Sequence, residues 1–406
     1  MLSVKEAQEK VINCQVTKKT KKVPILDSLG LIIAEDVISN DYVPAYNNSA
    51  MDGYAVKSVD ILGADRNYPI KLQLLNEDLP AGAVTKIKLE SGYCMQIMTG
   101  APIPGGCDCV VMKEDALKEG RDVLIFKECK SGENIRYRGE DIKKGNIVLK
   151  KDRKIYSGEI GVMASIGKSE VLVYGPPVIG ILTTGNELVE IDDKLEAGKV
   201  RDSNSYSLSA QTRELGVSYK RFGIIKDEKE LLKKKIEEVL KSCDILLLTG
   251  GISVGDYDYV KEILDDVGAE FIFWRVNQRP GKPLAFLTYK DKFIFGLPGN
   301  PVSVMVCFEM YVRPLVKKIM GDQQFLRRSI IAKASEDFGH KEGRTEFVRV
   351  KLEKVDNEFF FKPTGKQGSG ILTSMVEADG IAEFHDDIGI VSKGTDIRIY
   401  LLKDTF

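Results

Sequence analysis

Two carboxylates follow an apolar run in the stretch TGGISVGDYDYV, residues 249–260. The run DILLLTGG ends in two glycines, and Asp256 and Asp258 come shortly after them. Glycine turns let backbone amides approach a phosphate closely, and two nearby carboxylates are hard oxygen ligands that suit Mg²⁺ beside phosphate oxygens. The stretch therefore predicts a magnesium–phosphate site. The alternative is that Asp256 caps the next helix and Asp258 is solvated.

Two further glycine turns end apolar runs in the same part of the chain, TTGNEL at 183–188 and GLPGNP at 296–301. If the runs are parallel strands, their carboxyl ends meet at one sheet edge, where open α/β sheets bind ligands. Each turn alone is weak evidence, because glycine-rich loops are common in such sheets. Three at one edge predict an anionic ligand.

Clustered cations support the same prediction. Arg275, Arg279 and Lys282 lie in WRVNQRPGKPLAF, where they can neutralise a phosphate or another oxyanion. Outside this region, NNSAMDGYAV at 47–56 and NIRYRGEDI at 134–142 carry dense polar groups among glycines. These two stretches are either a second part of a site or turns held by salt bridges.

Composition excludes several classes of function. The net charge of −1 gives no basic surplus for nucleic acid, and no Walker or G-x-G-x-x-G pattern occurs. Seven cysteines without a C-x-x-C pair, and two histidines, argue against a disulfide framework and a zinc site. No apolar stretch is long enough for a membrane span, and the start lacks a signal core, so we expect a cytoplasmic protein.

The run pattern predicts a multidomain chain that combines α/β and β folds. Short strands suggest a β-rich domain at 46–141, and residues 142–175 are expected to return and pack on the N-terminal helix. Alternating strands and helices predict an α/β domain with a mainly parallel sheet at 176–322, and residues 326–406 predict a β-barrel or sandwich. The second helix of the α/β domain is expected to be capped by Asp227 and to bury an apolar stripe of Leu231, Leu232, Ile236, Val239 and Leu240.

The whole chain resembles the molybdopterin molybdenumtransferase family, the MoeA type, to which the E domain of gephyrin is related. The motifs that carry the resemblance are NSAMDGYAV, TGAPIPGGCDCVV, RGEDI, TTGNEL, DSN at 202–204, TGGISVGDYDY, PGKP without its leading lysine, GLPGNPVS and GKQGS at 365–369. The resemblance implies an elongated linking domain (1–45 and 142–175), an inserted β-rich domain (46–141), an α/β domain that binds the pterin nucleotide and a C-terminal β-barrel. It also implies a homodimer whose active site is shared between subunits.

The implied reaction converts adenylylated molybdopterin and molybdate to molybdenum cofactor with release of AMP, assisted by Mg²⁺ on Asp256 or Asp258. The implied partners are molybdopterin adenylyltransferase and molybdoenzyme-maturation proteins. Neither nucleic acid nor a membrane is implied as a partner. By position, the family's catalytic residues correspond to Asp52, Thr99, Asp141, Glu187, Asp227 and Asp258. Its substrate-binding residues correspond to Thr249, Gly250, Gly251, Ser253, Arg275, Arg279, Lys282, Pro283, Pro298, Asn300, Arg349 and Ser369.

Three positions depart from the family pattern. Arg275 and Arg279 stand where relatives more often have lysine, so their oxyanion contacts can be bidentate, and Thr249 replaces a serine while keeping a hydroxyl. The alternatives are a molybdopterin adenylyltransferase, which would consume ATP without molybdate, and a scaffold that binds partner peptides. Tungstate is not distinguished from molybdate, because the two oxyanions have nearly the same size and charge.

Overall fold

The computed structural model describes residues 1–75, 78–250, 258–339, 342–387 and 389–403, and for residues 258 and 259 it describes the backbone alone. The chain forms two compact units. The central unit contains Met1–Lys21 and Tyr174–Phe406, and the inserted unit contains Lys22–Val173. The helices are α1 (Val4–Asn13), α2 (Ser157–Ser165), α3 (Asn204–Glu214), α4 (Lys229–Ser242), α5 (Asp258–Asp266), α6 (Pro301–Cys307), α7 (Arg313–Ile319) and α8 (Thr373–Glu377).

The strands up to residue 174 are β1 (Thr20–Pro24), β2 (Val37–Ile38), β3 (Asn48–Ser49), β4 (Gly53–Val56), β5 (Ile70–Leu74), β6 (Tyr93–Ile97), β7 (Cys109–Met112), β8 (Ala116–Glu119), β9 (Asp122–Ile125), β10 (Ile135–Arg136), β11 (Ile147–Leu149) and β12 (Glu170–Tyr174). Those that follow are β13 (Ile179–Thr184), β14 (Leu188–Val189), β15 (Val200–Arg201), β16 (Tyr219–Ile225), β17 (Ile245–Thr249), β18 (Glu270–Trp274), β19 (Gln278–Arg279), β20 (Ala285–Tyr289), β21 (Lys292–Leu297), β22 (Ser329–Ala334), β23 (Phe338–Gly339), β24 (Thr345–Val355), β25 (Glu358–Pro363), β26 (Gly380–Phe384), β27 (Ile390–Val391) and β28 (Asp396–Leu401).

The inserted unit has a β-sheet whose described strands run in the order β7-β4-β6-β5-β9-β8. Successive residues of β4 face two different apolar clusters, because side chains alternate along a strand: Tyr54 and Val56 lie in one cluster and Ala55 in the other. Residues 142–173 return to pack on the segment around Ile33 and Val37. Helix α1 belongs to the central unit and contacts α7 there, and the expected packing of residues 142–175 on this helix stays a prediction.

The central unit contains an α/β sheet whose described strands run in the order β16-β13-β17-β21-β20-β18. The pairs among β16, β13, β17 and β21 are parallel, and β20 and β18 add antiparallel pairs at one side. Helices α4 and α5 cover one face, and α3 and α6 contact strands β13 and β21. Both faces of the parallel strands are therefore covered, which explains their continuous apolar runs.

The apolar stripe of α4 is confirmed at Leu232, Ile236, Val239 and Leu240, whereas Leu231 is 44% exposed. The predicted capping by Asp227 is wrong. The helix begins one residue later, after Glu228, and the start has no side-chain cap.

The C-terminal strands close into a barrel in the order β24-β25-β22-β28-β26, with β26 pairing back to β24. Strand β19 of the α/β part pairs in parallel with Thr345 and Glu346 of β24. This pairing attaches the barrel beside the loop that carries Arg279. None of the helices in the described ranges has the length and apolar character that a membrane span requires.

Candidate active site

Three loops leave the central sheet at neighbouring strand ends. Thr183 of β13 is in register with Thr249 of β17, and Thr249 is in register with Leu297 of β21. The turns that begin at Gly185, Gly250 and Pro298 therefore start side by side. The strand ends from which the three glycine turns start lie side by side, as the parallel pattern predicts.

Gly250 is the closest point between two of these loops. Its φ is +89°, and a Cβ atom built on it would lie 1.9 Å from the carbonyl oxygen of Thr184. The left-handed backbone and the missing side chain are both required for this approach. The glycine therefore fixes the distance between the TTGNEL and TGG turns.

A polar network fixes the third turn. The amide of Asn204, at the start of α3, donates to the Oγ1 of Thr249 at 3.1 Å and to the carbonyl of Gly299 at 2.7 Å. The Thr249 hydroxyl in turn donates to the carbonyl of Pro298 at 3.1 Å. Asn300 follows Gly299 and directly precedes α6. It is exposed, and its side chain does not cap the helix. Thr249 thus acts as a bridge between two strand ends, which requires its hydroxyl and not the methyl group.

The side chain of Asp227 binds the TTGNEL loop and does not cap α4. One carboxylate oxygen accepts a bond from the buried hydroxyl of Thr184, and the other accepts from the N–H of Asn186 at 3.3 Å. The carboxylate of Glu187 lies over Gly185, since a Cβ built on Gly185 would be 2.7 Å from its Oε2. The two acidic side chains of Asp227 and Glu187 therefore lie at the same turn of the sheet edge.

The cationic loop 275–282 presents two unpaired charges. Arg275 is exposed with φ +67°, and its N–H donates to Leu284, while the N–H of Val276 donates to the carbonyl of Lys282 at 3.1 Å. Within the described ranges, neither Arg275 nor Lys282 has a carboxylate within 4.0 Å. Arg279 lies 3.5 Å from the Oε1 of Glu346, and Pro283 is half-buried. Such cations are available to an anionic ligand.

Arg349 lies deeper than the sequence suggests. Its side chain is 1% exposed, and its guanidinium donates to Ser374 Oγ and to the carbonyls of Phe347 and Gly368 at 3.1–3.3 Å. All three acceptors are neutral. Burial lowers the pKa of Arg349 to about 10, and the nearby charge of Glu346 opposes this shift.

Ser369 follows on the loop that Arg349 holds. Its carbonyl accepts a bond from the N–H of Val302, in the first turn of α6, at 3.1 Å. The barrel loop and the GLPGNP turn are therefore joined. A cleft of about 350 Å³ is lined by Arg279, Glu342, Gly343, Arg344 and Glu346.

The inserted unit carries a separate polar cluster. Strands β3 and β10 pair so that Asn48 faces Arg136, which brings the two motifs of this unit together. Asp52 accepts bonds from the N–H and the hydroxyl of Thr99 at 2.7 and 2.8 Å, and these bonds lower its pKa. Asp52, Thr99 and Asp141 are all exposed, as a site completed by another surface requires.

Four predicted positions are not assessed by this geometry. Gly251, Ser253 and Asp256 lie outside the described residues, as does the side chain of Asp258. Their roles stay predictions.

Sequence reasoning assigned no role to several residues of the site. Thr183 Oγ1, Asp202 Oδ2 and Asn204 Oδ1 are buried polar atoms that have no hydrogen-bond partner in the part of the chain described. The DSN motif at 202–204 contains Asp202 and Asn204, but the motif alone did not indicate what these two residues do. The burial of an oxygen atom without a hydrogen-bond partner is visible only in three dimensions. Such an atom can accept a bond from a ligand or bind a cation.

Three family models match the chain in order. They are the MoeA N-terminal region (domain I and II) at residues 2–167, the probable molybdopterin binding domain at 180–318, and the MoeA C-terminal region (domain IV) at 332–402. The matches together span both units and the barrel.

Curated relatives and solved structures agree with these matches. The molybdopterin molybdenumtransferase of Staphylococcus epidermidis is 36% identical over 94% of this chain and 90% of its own length, and that of Bacillus subtilis is 33% identical over 99% and 94%. The crystal structure of the molybdopterin biosynthesis MoeA protein from Pyrococcus horikosii is 30% identical, covers 99% of both chains and superimposes with a TM-score of 0.85. The chain therefore belongs to the MoeA family of molybdopterin molybdenumtransferases, enzymes of molybdenum cofactor biosynthesis.

Proposed function

We propose that this chain inserts molybdenum from molybdate into adenylylated molybdopterin and releases AMP. The observation that carries the proposal is a loop of the central unit, 275–282, with two cations that have no carboxylate within 4.0 Å in the described ranges. Arg275 and Lys282 have no carboxylate partner within the described ranges, and the buried guanidinium of Arg349 contacts neutral acceptors. The formal charge of the whole chain is −1, so this charge is local.

The reaction requires such a site because both reactants are anions. Molybdate is a dianion and the pterin nucleotide carries phosphates, so they repel each other in solution. Fixed cations and backbone dipoles at the sheet edge offset that repulsion in both the bound state and the transition state. Lys282, Arg275 and Arg279 would bind the oxyanion, with Arg349 and Ser369 behind them. The glycine turns at Gly250 and Pro298 would hold the nucleotide phosphates.

The residues fit Mg²⁺ by their donor chemistry. Asp256 and Asp258 offer oxygen ligands, and the buried oxygens of Asp202 and Asn204 that lack partners in the described ranges are of the same kind. Asp256 or Asp258 would hold the ion. Bound Mg²⁺ would neutralise charge on the phosphoanhydride that is cleaved when AMP leaves.

We also propose that the enzyme works as a homodimer with shared active sites. Three exposed residues of the inserted unit, the hydrogen-bonded pair Asp52 and Thr99 and also Asp141, would act on substrate bound in the central unit of a second copy. Molybdopterin adenylyltransferase would supply the substrate, and molybdoenzyme-maturation proteins would receive the product. The exposure of Asp52, Thr99 and Asp141 supports this arrangement.

The experiment is AMP release from adenylylated molybdopterin with Mg²⁺ and molybdate. Replacing Lys282 by Ala, or Asp258 by Asn, is expected to lower the rate by about 100-fold, the usual effect of removing one electrostatic stabiliser. The matched control is Lys234→Ala, which removes an exposed lysine from α4. Unchanged rates in both variants would reject the assignment, and ATP consumption without molybdate would favour an adenylyltransferase.

A further inference from the structure

The loop that carries Arg279 and Lys282 is folded around one buried side chain. Gln278 is 0% exposed, and its amide nitrogen lies 3.1 Å from the carbonyl of Pro280 and 3.3 Å from the carbonyl of Gly281. Because carbonyls only accept, the NH₂ of Gln278 must face them. The Gln278 side chain therefore holds the turn between Arg279 and Lys282 by hydrogen bonds to its carbonyl groups.

The orientation of this amide is set from another element. With its NH₂ facing the turn, the Oε1 of Gln278 needs a donor, and the hydroxyl of Tyr311 supplies it. Tyr311 is also 0% exposed, so water does not compete for this bond. It lies in the π-helical segment Phe308–Val312 that joins α6 to α7. The hydroxyl thus selects the amide orientation in which the turn carbonyls are satisfied.

The turn has little room to adopt another shape. Gly281 has φ +93°, and a Cβ on it would lie 2.6 Å from the Sγ of Cys307 and 2.7 Å from the Nε2 of Gln278. The carbonyl of Lys282 accepts from the N–H groups of both Val276 and Leu284 at 3.1 Å. The loop is therefore tied at its interior and at its base, while the side chain of Arg279 stays 56% exposed.

We propose that Tyr311 and Gln278 are positioning residues, which fix the geometry of Arg279 and Lys282 for the oxyanion without touching it. The inference rests on the proposed function, because it assigns the oxyanion to these cations. A fixed pair of cations binds an anion better than a mobile pair, because the fold already restricts the two side chains and less conformational entropy is lost on binding. Loss of the Tyr311 hydroxyl should thus weaken anion binding from a distance.

The test compares two buried tyrosines of the central unit. In Tyr311→Phe the hydroxyl that orients Gln278 is removed. In the control Tyr400→Phe, a buried hydroxyl is removed from the same neighbourhood, but this hydroxyl donates to Glu383 Oε2 at 2.9 Å and not to Gln278. Molybdate affinity is measured by titration calorimetry, with the free energy of unfolding measured for both. We expect about three- to tenfold weaker binding in Tyr311→Phe, and unchanged binding in Tyr400→Phe.

Kinetics give a readout that a purely structural role would not move. In Tyr311→Phe the KM for molybdate should rise while kcat at saturating molybdate stays near the wild-type value, because the cations are present but less often in place. Equal molybdate affinity and KM in Tyr311→Phe and Tyr400→Phe would overturn the inference.

A second variant covers the case in which Tyr311→Phe does not fold. Gly281→Ala pushes the turn away from Gln278, and Gly216→Ala is its control, because Gly216 also has positive φ (+71°) but open space around it. Molybdate binding should weaken in Gly281→Ala alone, and equal binding would overturn the inference. Lys282→Ala separates the two proposals: if it too leaves molybdate binding unchanged, the proposed function itself fails.

Discussion

At the scale of single residues, Arg349 is the most unusual charge in the chain. It is buried, its partners are neutral, and its pKa is lowered to about 10 by desolvation. Because the folded-state pKa lies below the ordinary arginine value, the charged form destabilises the fold at neutral pH, and stability rises only as the pH increases beyond about 10. A bound dianion would offset this cost.

The expected result is that molybdate stabilises the protein through this charge. At pH 7, molybdate at about 100 times its Kd should add about 2.7 kcal/mol to the free energy of unfolding, measured by thermal denaturation against chloride of equal ionic strength. Arg349→Met, which removes the charge but keeps a long side chain, should lose most of this increment. Full stabilisation in the variant would show that Arg349 only holds the loop at Gly368.

The sequence predicted that the three strand ends lie side by side, and the register of β13, β17 and β21 agrees, but the contacts of single residues were not predictable. Asp227 looked like a helix cap because it precedes an amphipathic stripe. In the fold, Thr184 and Asn186 bind its carboxylate from 43 and 41 residues away. The resemblance implied a substrate-binding role for Arg349, but its burial depends on barrel closure, which a motif does not reveal.

At the scale of elements, the site depends on strand ends that are held at van der Waals distance. The predicted strands and helices of the α/β part follow from apolar runs and a 3.6-residue stripe, both of which are local patterns. Two features were not predictable in this way. The pairing of β19 with β24 joins segments 67 residues apart, as in Gln278 with Thr345, and the π-helical turn at Phe308–Val312 has no distinctive local signature.

Gly250 tests the element-scale argument. An alanine there must accept both a positive φ and a 1.9 Å clash with the carbonyl of Thr184, so the TTGNEL turn has to move. We expect Gly250→Ala to lose about 1–3 kcal/mol of unfolding free energy, by denaturant titration, and most of its AMP-releasing activity. The control Gly268→Ala has φ +83° with open space around it and should show the smaller, purely backbone cost. Equal losses would mean that the contact between the turns is unimportant.

At the scale of the whole molecule, the two polar clusters occupy different compact units. Asp52 belongs to the inserted unit and Lys282 to the central unit. The inserted unit offers carboxylates and a hydroxyl, whereas the central unit offers cations, glycine turns and the TTGNEL acids. A homodimer with shared sites would need one surface from each copy.

Mixing two inactive variants tests this sharing directly. Asp52→Asn inactivates the inserted-unit cluster, and Lys282→Ala inactivates the central-unit cluster. If each site takes its two clusters from different copies, a mixed dimer has one site with both lesions and one with neither. Co-refolding equal amounts, which forms mixed dimers for about half of the population, should restore about a quarter of the wild-type AMP release. In a monomer, or in a dimer whose sites are each built from one chain, every site keeps a lesion, so the mixture would stay as inactive as its parents.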